Sequence, residues 1–176
     1  MSKSDKRTPA DNKLSTPTGL GDNAVKDIEA ALNALLADTF ALYFKTKNFH
    51  WHVSGPHFRD YHLMFDEQAG ELISIVDDIA ERVRKIGGIT LHSVSQVAGM
   101  SRIAPNDAKF VEAADMVGEL LEDNKGYLAS VRAARSLADD HGDAATVSLF
   151  DGVIDQAERR VWFLYETLRP SQTGGH

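Results

Sequence analysis

Apolar side chains recur at intervals of three and four along most of the chain, the pattern of helices that each bury one face. The first such run starts near Asp22 or Asn23, either of which suits a helix N-cap. It places Ile28, Leu32, Leu35, Thr39, Leu42, Thr46 and Phe49 on one face, and is predicted to stop around Trp51 to Val53. Ser54-Gly55-Pro56 follows, and Pro56 fits the first turn of a second helix, where a missing N–H costs nothing. The second seam is Phe58, Tyr61, Phe65, Gln68, Leu72, Ile75, Ile79, Val83 and Ile86, ended by Gly87-Gly88. At 1.5 Å per residue this rod is about 45 Å long.

Residues 87–105 then form a connector, within which Val94 to Met100 is predicted to make a short helix. A third long helix is predicted from Asn106 or Asp107, with Phe110, Ala113, Val117, Leu121, Asn124, Leu128, Val131 and Arg135 facing inward and His141-Gly142 as its stop. Asp143 caps a fourth, carrying Val147, Phe150, Ile154, Ala157, Val161, Leu164 and Leu168, and Pro170 ends it. Short links join helices one to two and three to four, while the long connector lies between two and three. That is the plan of an all-α, ferritin-like four-helix bundle with one crossover. The bundle spans residues 22–169. Residues 1–21 read as a flexible basic tail, and residues 170–176 as a short polar one.

Composition narrows the chemistry. With no cysteine, thiolate catalysis, iron–sulfur clusters and Cys-based zinc sites are excluded. No stretch approaches the roughly 20 apolar residues that span a bilayer, and the N-terminus lacks the apolar run of a secretory signal. The expectation is a cytoplasmic protein. A net charge of −7 makes the body a poor nucleic-acid binder and suits attraction of cations, although solubility explains the same charge.

Histidine is concentrated. Of seven, His50, His52, His57 and His62 fall within NFHWHVSGPHFRDYH. The second helix adds carboxylates: His62 and Asp66 are one turn apart, as are Asp77 and Glu81. Imidazole with carboxylate suits iron. Yet His62 and Asp77 lie 15 residues apart on one rod, about 22 Å along its axis, and cannot reach one ion within a chain. Either a second copy completes the site across a twofold axis, or the two pairs are unrelated. A single-chain di-iron bundle needs Glu-x-x-His on two helices, and the sequence contains none.

The run from Asn48 to Gly88 resembles the signature of the Dps family of mini-ferritins (DNA-binding proteins from starved cells). The shared features are His50-Trp51, the glycine before the second helix, His62, Asp77-x-x-x-Glu81-Arg82 and the Gly-Gly stop. With the helix plan and Trp162, the resemblance covers residues 22–169. It implies a homododecameric hollow shell with iron sites at twofold interfaces. His50, His62 and Asp66 would come from one subunit, and Asp77 and Glu81 from its partner. The implied activity is that of a ferroxidase. Fe(II) is oxidised, preferably by hydrogen peroxide, and stored as ferric mineral, which protects DNA from oxidative damage. By the same analogy Trp51 intercepts radicals beside the site, while simple packing accounts for it equally well. His52 and His57 match no part of the motif.

Iron access would be favoured by acidic side chains, for which Asp139-Asp140-His141-Gly142-Asp143, Asp151 and Asp155 are candidates, though a solvated helix end accounts for most of them. Family members bind DNA through a basic tail. Here Lys3, Lys6, Arg7 and Lys13 face Asp5 and Asp11, a side-chain balance of +2. One such tail is feeble, but twelve on one shell would bind phosphate non-specifically at low salt. Two other readings compete: a nucleoid-packing DNA-binding protein with a vestigial iron site, and a monomeric zinc module built on the four clustered histidines.

Overall fold

The structure, a computed structural model, describes residues 13–170. The chain forms α1 (Asp22–His52), α2 (Phe58–Ser74), α3 (Val76–Lys85), α4 (Val94–Met100), α5 (Ala113–Asp140) and α6 (Ala144–Leu168). No strand occurs among the described residues. Helix α1 packs along α2 and α3, α5 along α6, and α1 against α5, which makes the four-rod bundle with α4 laid across α1. No helix is long and apolar enough to cross a membrane among the described residues.

Most residues of the predicted seams form the core, although Phe58 at the start of the second stays exposed. Ile28, Leu32, Leu35, Leu42 and Phe49 of α1 meet Phe65, Leu72, Ile79 and Val83 of α2 and α3, Val117, Leu128 and Val131 of α5, and Phe150, Ala157 and Leu164 of α6. On α6 the buried face is turned slightly from the predicted one. Val153 and Arg160 are buried, whereas Leu168 is exposed.

The second rod is interrupted at Ile75, which stays in the αR region (φ −91°, ψ −7°) and accepts the Ile79 N–H at 3.1 Å. The rod therefore continues in direction from α2 into α3. Its start also differs from expectation: Pro56 and His57 lie in the turn, and helix geometry begins at Phe58. The N-cap of α1 is Gly21 rather than Asp22 or Asn23, which puts the Asp22 carboxylate in the first turn, facing the positive end of the helix.

Helix α5 begins at Ala113, later than predicted. Asn106 folds back on its own backbone, its Oδ1 accepting from Ala108 N–H at 3.0 Å while its Nδ2 donates to Glu119 at 2.8 Å. An Asn in that role makes a turn instead of a helix start, and Phe110 remains exposed. The long connector is tied down by polar groups of α1. Asn33 donates to Ile89 O, Glu29 accepts from Ile89 N–H, Asp38 takes both the backbone and the guanidinium of Arg102, and Lys45 donates to Ala104 O.

Helices α3 and α5 end alike. Gly88 N–H bonds Val83 O and Gly87 N–H bonds Arg84 O, and the same pair recurs from Asp143 to Ala138 and from Gly142 to Asp139. Both are Schellman caps, with Gly87 (φ +85°) and Gly142 (φ +71°) in the left-handed position. At Gly87 there is a second constraint. A Cβ would sit 3.1 Å from the Thr16 carbonyl oxygen, because residues 14–16 cross over this turn and Arg84 donates to Leu14 O. Of the expected basic tail, Lys13 is exposed, and Lys3, Lys6 and Arg7 lie outside the described residues.

Candidate metal centre

The chain reverses at Val53–His57, with Gly55 at φ +106°, so the last turn of α1 runs beside the first turns of α2. That corner brings His50 and His62 together in a reciprocal arrangement. His50 Nδ1–H donates to the His62 carbonyl at 2.8 Å, and His62 Nδ1–H donates to the His50 carbonyl at 2.8 Å. The rings stack at 3.8 Å with 22° between planes, and Phe58 covers His62 at 5.0 Å.

A carbonyl oxygen only accepts, so each Nδ1 must carry the proton. In the neutral rings the lone pair is then on Nε2, at the other edge. Orientation of this kind, with a backbone carbonyl fixing tautomer and ring plane, is what metal-binding histidines require. His50 is 9% exposed, so its ring cannot swing away.

Asp66, one turn beyond His62, reaches the same point. Its Oδ1 lies 3.8 Å from His50 Nε2 and 2.7 Å from Lys47 Nζ. The hydrogen bond from Lys47 is the main cause holding the Asp66 carboxyl below its ordinary pKa. Burial opposes it and is the next largest influence, while the charge of Lys47, with smaller electrostatic contributions from His50 and His62, adds to the lowering. Lys47 was not among the residues singled out from the sequence. Its spacing of three before His50 and four before Trp51 puts it on their face, which was a usable signal.

Asp77 and Glu81 lie on α3, both exposed. Glu81 pairs with Lys85 at 2.9 Å across one turn, both side chains more than half exposed. At 1.5 Å per residue Asp77 remains about 22 Å from His62 along the rod, and Glu81 about 28 Å. Thus one chain gathers His50, His62 and Asp66 at the corner and leaves Asp77 and Glu81 apart. Among the described residues no three His, Asp or Glu side chains of one chain converge tightly enough to hold an ion unaided.

Around this corner, Trp51 is 56% exposed, with Phe44 edge-on at 6.1 Å and Lys47 5.9 Å from its ring. His52 bonds Asn48 O through Nδ1 at 2.8 Å on the exposed side of α1, and His57 lies at the α2 N-terminus with its ring 5.8 Å from Tyr61. Neither joins the pair.

The acidic turn is largely paired. His141 bonds Asp27 at 3.1 Å, and Arg135 takes Asp139 at 3.1 Å and Asp151 at 3.0 Å. Asp143 is 4% exposed and binds Arg82 of α3 at 2.5 Å while capping α6 through Thr146 N–H. It is a structural group and not a lining residue for iron access. Burial pushes its pKa up, but the hydrogen bonds from Arg82 and Thr146 and the charge of Arg82 outweigh this and leave it lowered.

The interior of the bundle is where a single-chain dimetal site would draw carboxylates and histidines inward. It instead holds Thr39 bonded to Tyr127 at 2.9 Å, and Asn124 bonded to the Arg160 guanidinium at 2.8 Å. A fixed cation stands where cations would have to bind.

Comparison with known proteins gives a consistent picture. A profile of the ferritin-like domain family matches residues 29–171. A DNA protection during starvation protein of Brevibacillus brevis is 33% identical over 78% of this chain and 91% of its own length. An uncharacterized low temperature-induced protein of Nostoc is 32% identical over 83% and 82%. Among solved structures, DpsC from Streptomyces coelicolor superposes with a TM-score of 0.85 at 29% identity, covering 90% of this chain and 93% of that one. Dps from Bacillus brevis gives 0.81 at 30%, covering 85% and 100%. The chain therefore belongs to the ferritin-like domain family and, within it, to the Dps proteins.

Proposed function

We propose that this protein is a ferroxidase and iron store whose oxidation site is shared between two subunits of a dodecameric shell. One subunit supplies His50, His62 and Asp66, and its twofold partner supplies Asp77 and Glu81. The observation that carries this reading is the reciprocal hydrogen bonding of His50 and His62, which leaves two Nε2 lone pairs beside a carboxylate kept ionised. A structural histidine pair needs no such orientation. The distance along the α2–α3 rod supports the division of the ligand set between chains.

The substrates are Fe(II) and, as the preferred oxidant, hydrogen peroxide. Peroxide takes one electron from each of two ferrous ions. Its O–O bond breaks and, with two protons, both oxygens leave as water, so no hydroxyl radical forms. Imidazole favours the ferrous ion and carboxylate the harder ferric ion, so the mixed ligand set suits both ends of the reaction. The ferric product hydrolyses and is stored in the cavity. In this way the protein protects DNA in the cytoplasm, and through the tail with Lys3, Lys6, Arg7 and Lys13 it also associates with DNA non-specifically.

The test is peroxide-driven Fe(II) oxidation by assemblies of known size. The His50→Ala, His62→Ala variant is expected to lose at least about 100-fold in rate, since even supporting groups around a metal are worth 10–100-fold. A native rate in that variant would falsify the site. Deleting residues 2–12 is expected to leave oxidation unchanged and to abolish DNA retardation at low salt.

One observation favours a second reading, in which the protein packs the nucleoid around a vestigial site: the Lys47 ammonium already occupies Asp66 at 2.7 Å. On that reading the double histidine variant and the native protein oxidise iron equally slowly.

A further inference from the structure

We infer that the bundle contains a built hydration site, one internal water held between Gln68 of α2 and Arg160 of α6. Arg160 is 1% exposed. Its Nε–H donates to Asn124 Oδ1 at 2.8 Å, and its Nη1 reaches Glu71 Oε2 at 3.3 Å. Its Nη2, fully buried, has no partner among the described residues. Gln68 is 4% exposed, and neither its Nε2 nor its Oε1 has one. Gln156, one turn before Arg160 on α6, likewise has an unpaired buried Oε1. Buried polar groups in folded proteins are seldom left unbonded, and Gln68 and Arg160, which line the same cavity, point to a shared partner.

Gln68 and Arg160 line one small cavity. The space that a water's centre can occupy there is about 10 Å³, the room one molecule needs. Its chemistry selects the occupant. Arg160 Nη2 and Gln68 Nε2 are donors in want of an acceptor, and Gln68 Oε1 is an acceptor in want of a donor. A halide would accept from both donors and leave Oε1 unpaired. A metal ion would meet the guanidinium charge. An apolar group would satisfy none of them. Water alone can both accept from Arg160 Nη2 and donate to Gln68 Oε1, keeps a second lone pair for Gln68 Nε2, and fits. Arg159 and Glu71, ion-paired to each other, also line it.

A high-resolution crystal structure of the assembled protein, grown with and without bromide, tests this directly. The expected result is a water about 2.7–3.2 Å from both Gln68 Oε1 and Arg160 Nη2 in each subunit, with no anomalous signal from bromide. A bromide peak there, an empty cavity, or a Gln68 side chain turned to bond Arg160 itself would each overturn the inference. In solution, oxygen-17 relaxation dispersion is expected to count one fewer long-lived water per subunit in Gln68→Leu, and an unchanged count would also overturn it. If that variant does not assemble, the native crystal structure decides alone. Neither measurement depends on iron oxidation.

Discussion

At the α1–α2 corner, two imidazoles are clamped by each other's backbone carbonyls, and one of them is nearly buried. Fifteen residues further along the same rod Asp77 stands in solvent, and one turn beyond it the exposed Glu81 pairs with Lys85. The corner fixes its side chains directly. Helix α3 fixes only its backbone: Ile79 and Val83 are buried in the core, and Arg82 is bolted by Asp143 and Thr146 to the start of α6. Imidazoles must present one particular nitrogen, so their orientation has to be set beforehand. Carboxylates accept a cation from many directions and lose little by being mobile until it arrives. The two halves therefore suit a site in which the histidines wait preorganised and a second chain's carboxylates close over the metal.

The sharpest way to break this comparison is to put the two defects in different chains. His50→Ala, His62→Ala removes one half, and Asp77→Asn, Glu81→Gln removes the other. Each variant alone is expected to be inactive in ferrous oxidation. Disassembled, mixed in equal amounts and reassembled, half of the random pairs contain both kinds of chain. In each such pair one of the two shared sites is intact, so activity should return to about a quarter of native. Two inactive variants that stay inactive after mixing would mean that the halves never share an ion.

How much of this was legible in the sequence follows from what periodicity records. Four rods and the crossover could be read because the seam residues are aliphatic and spaced by turns. The corner could be read because four histidines within thirteen residues are conspicuous. Other features were not, and three of them show why. Arg160 sits at the core of α6, but a long cation scores as a surface residue in any apolar pattern. The start of α5 was placed too early because Asn106 signals a cap and a turn equally well, and only Glu119, thirteen residues on, decides between them. Asp143 was read both as a cap and as part of an acidic opening, and the contact that settles its role, Arg82, lies 61 residues away.

Asp143 offers the next largest effect, because it tests whether the α3 half really is held at second hand. Asp143→Ala removes an N-cap, worth about 0.5–2 kcal/mol, and leaves Arg82, mostly buried, without its carboxylate. Together these are expected to cost about 2–4 kcal/mol in denaturant unfolding. The pH dependence has a definite sign. The folded pKa of Asp143 is depressed, so its contribution is present above the ordinary value of 3.8 and is lost as pH falls through the lower folded one. Asp143→Asn should therefore be weakest relative to native at neutral pH and draw level with it only once the pH has fallen below the depressed folded value. If α3 is positioned through this contact, Asp143→Asn should also slow iron oxidation while the His50–His62 corner stays intact by NMR. Full activity would show that burial of Ile79 and Val83 is enough.

The smallest effect concerns Lys47, the one feature that makes the corner less ready than its histidines suggest. Its ammonium sits where a cation would approach Asp66, and the carboxylate is about half exposed, so solvent weakens the pair. An exposed ion pair of this kind is a light obstacle, and a metal ion with two imidazoles behind it should displace it. Lys47→Met keeps the aliphatic stem and removes the charge, which lies 5.9 Å from the Trp51 ring. Calorimetry with Co(II) as an oxidation-resistant stand-in is expected to show a several-fold tighter site and nothing more. In an Asp66→Asn background the same substitution should give no gain, because there is no carboxylate left to release. A gain that survives Asp66→Asn would mean that Lys47 acts by general repulsion and that Asp66 is not a ligand. A gain far beyond several-fold would mean that the lysine truly blocks the corner, and the balance would tip toward the vestigial reading.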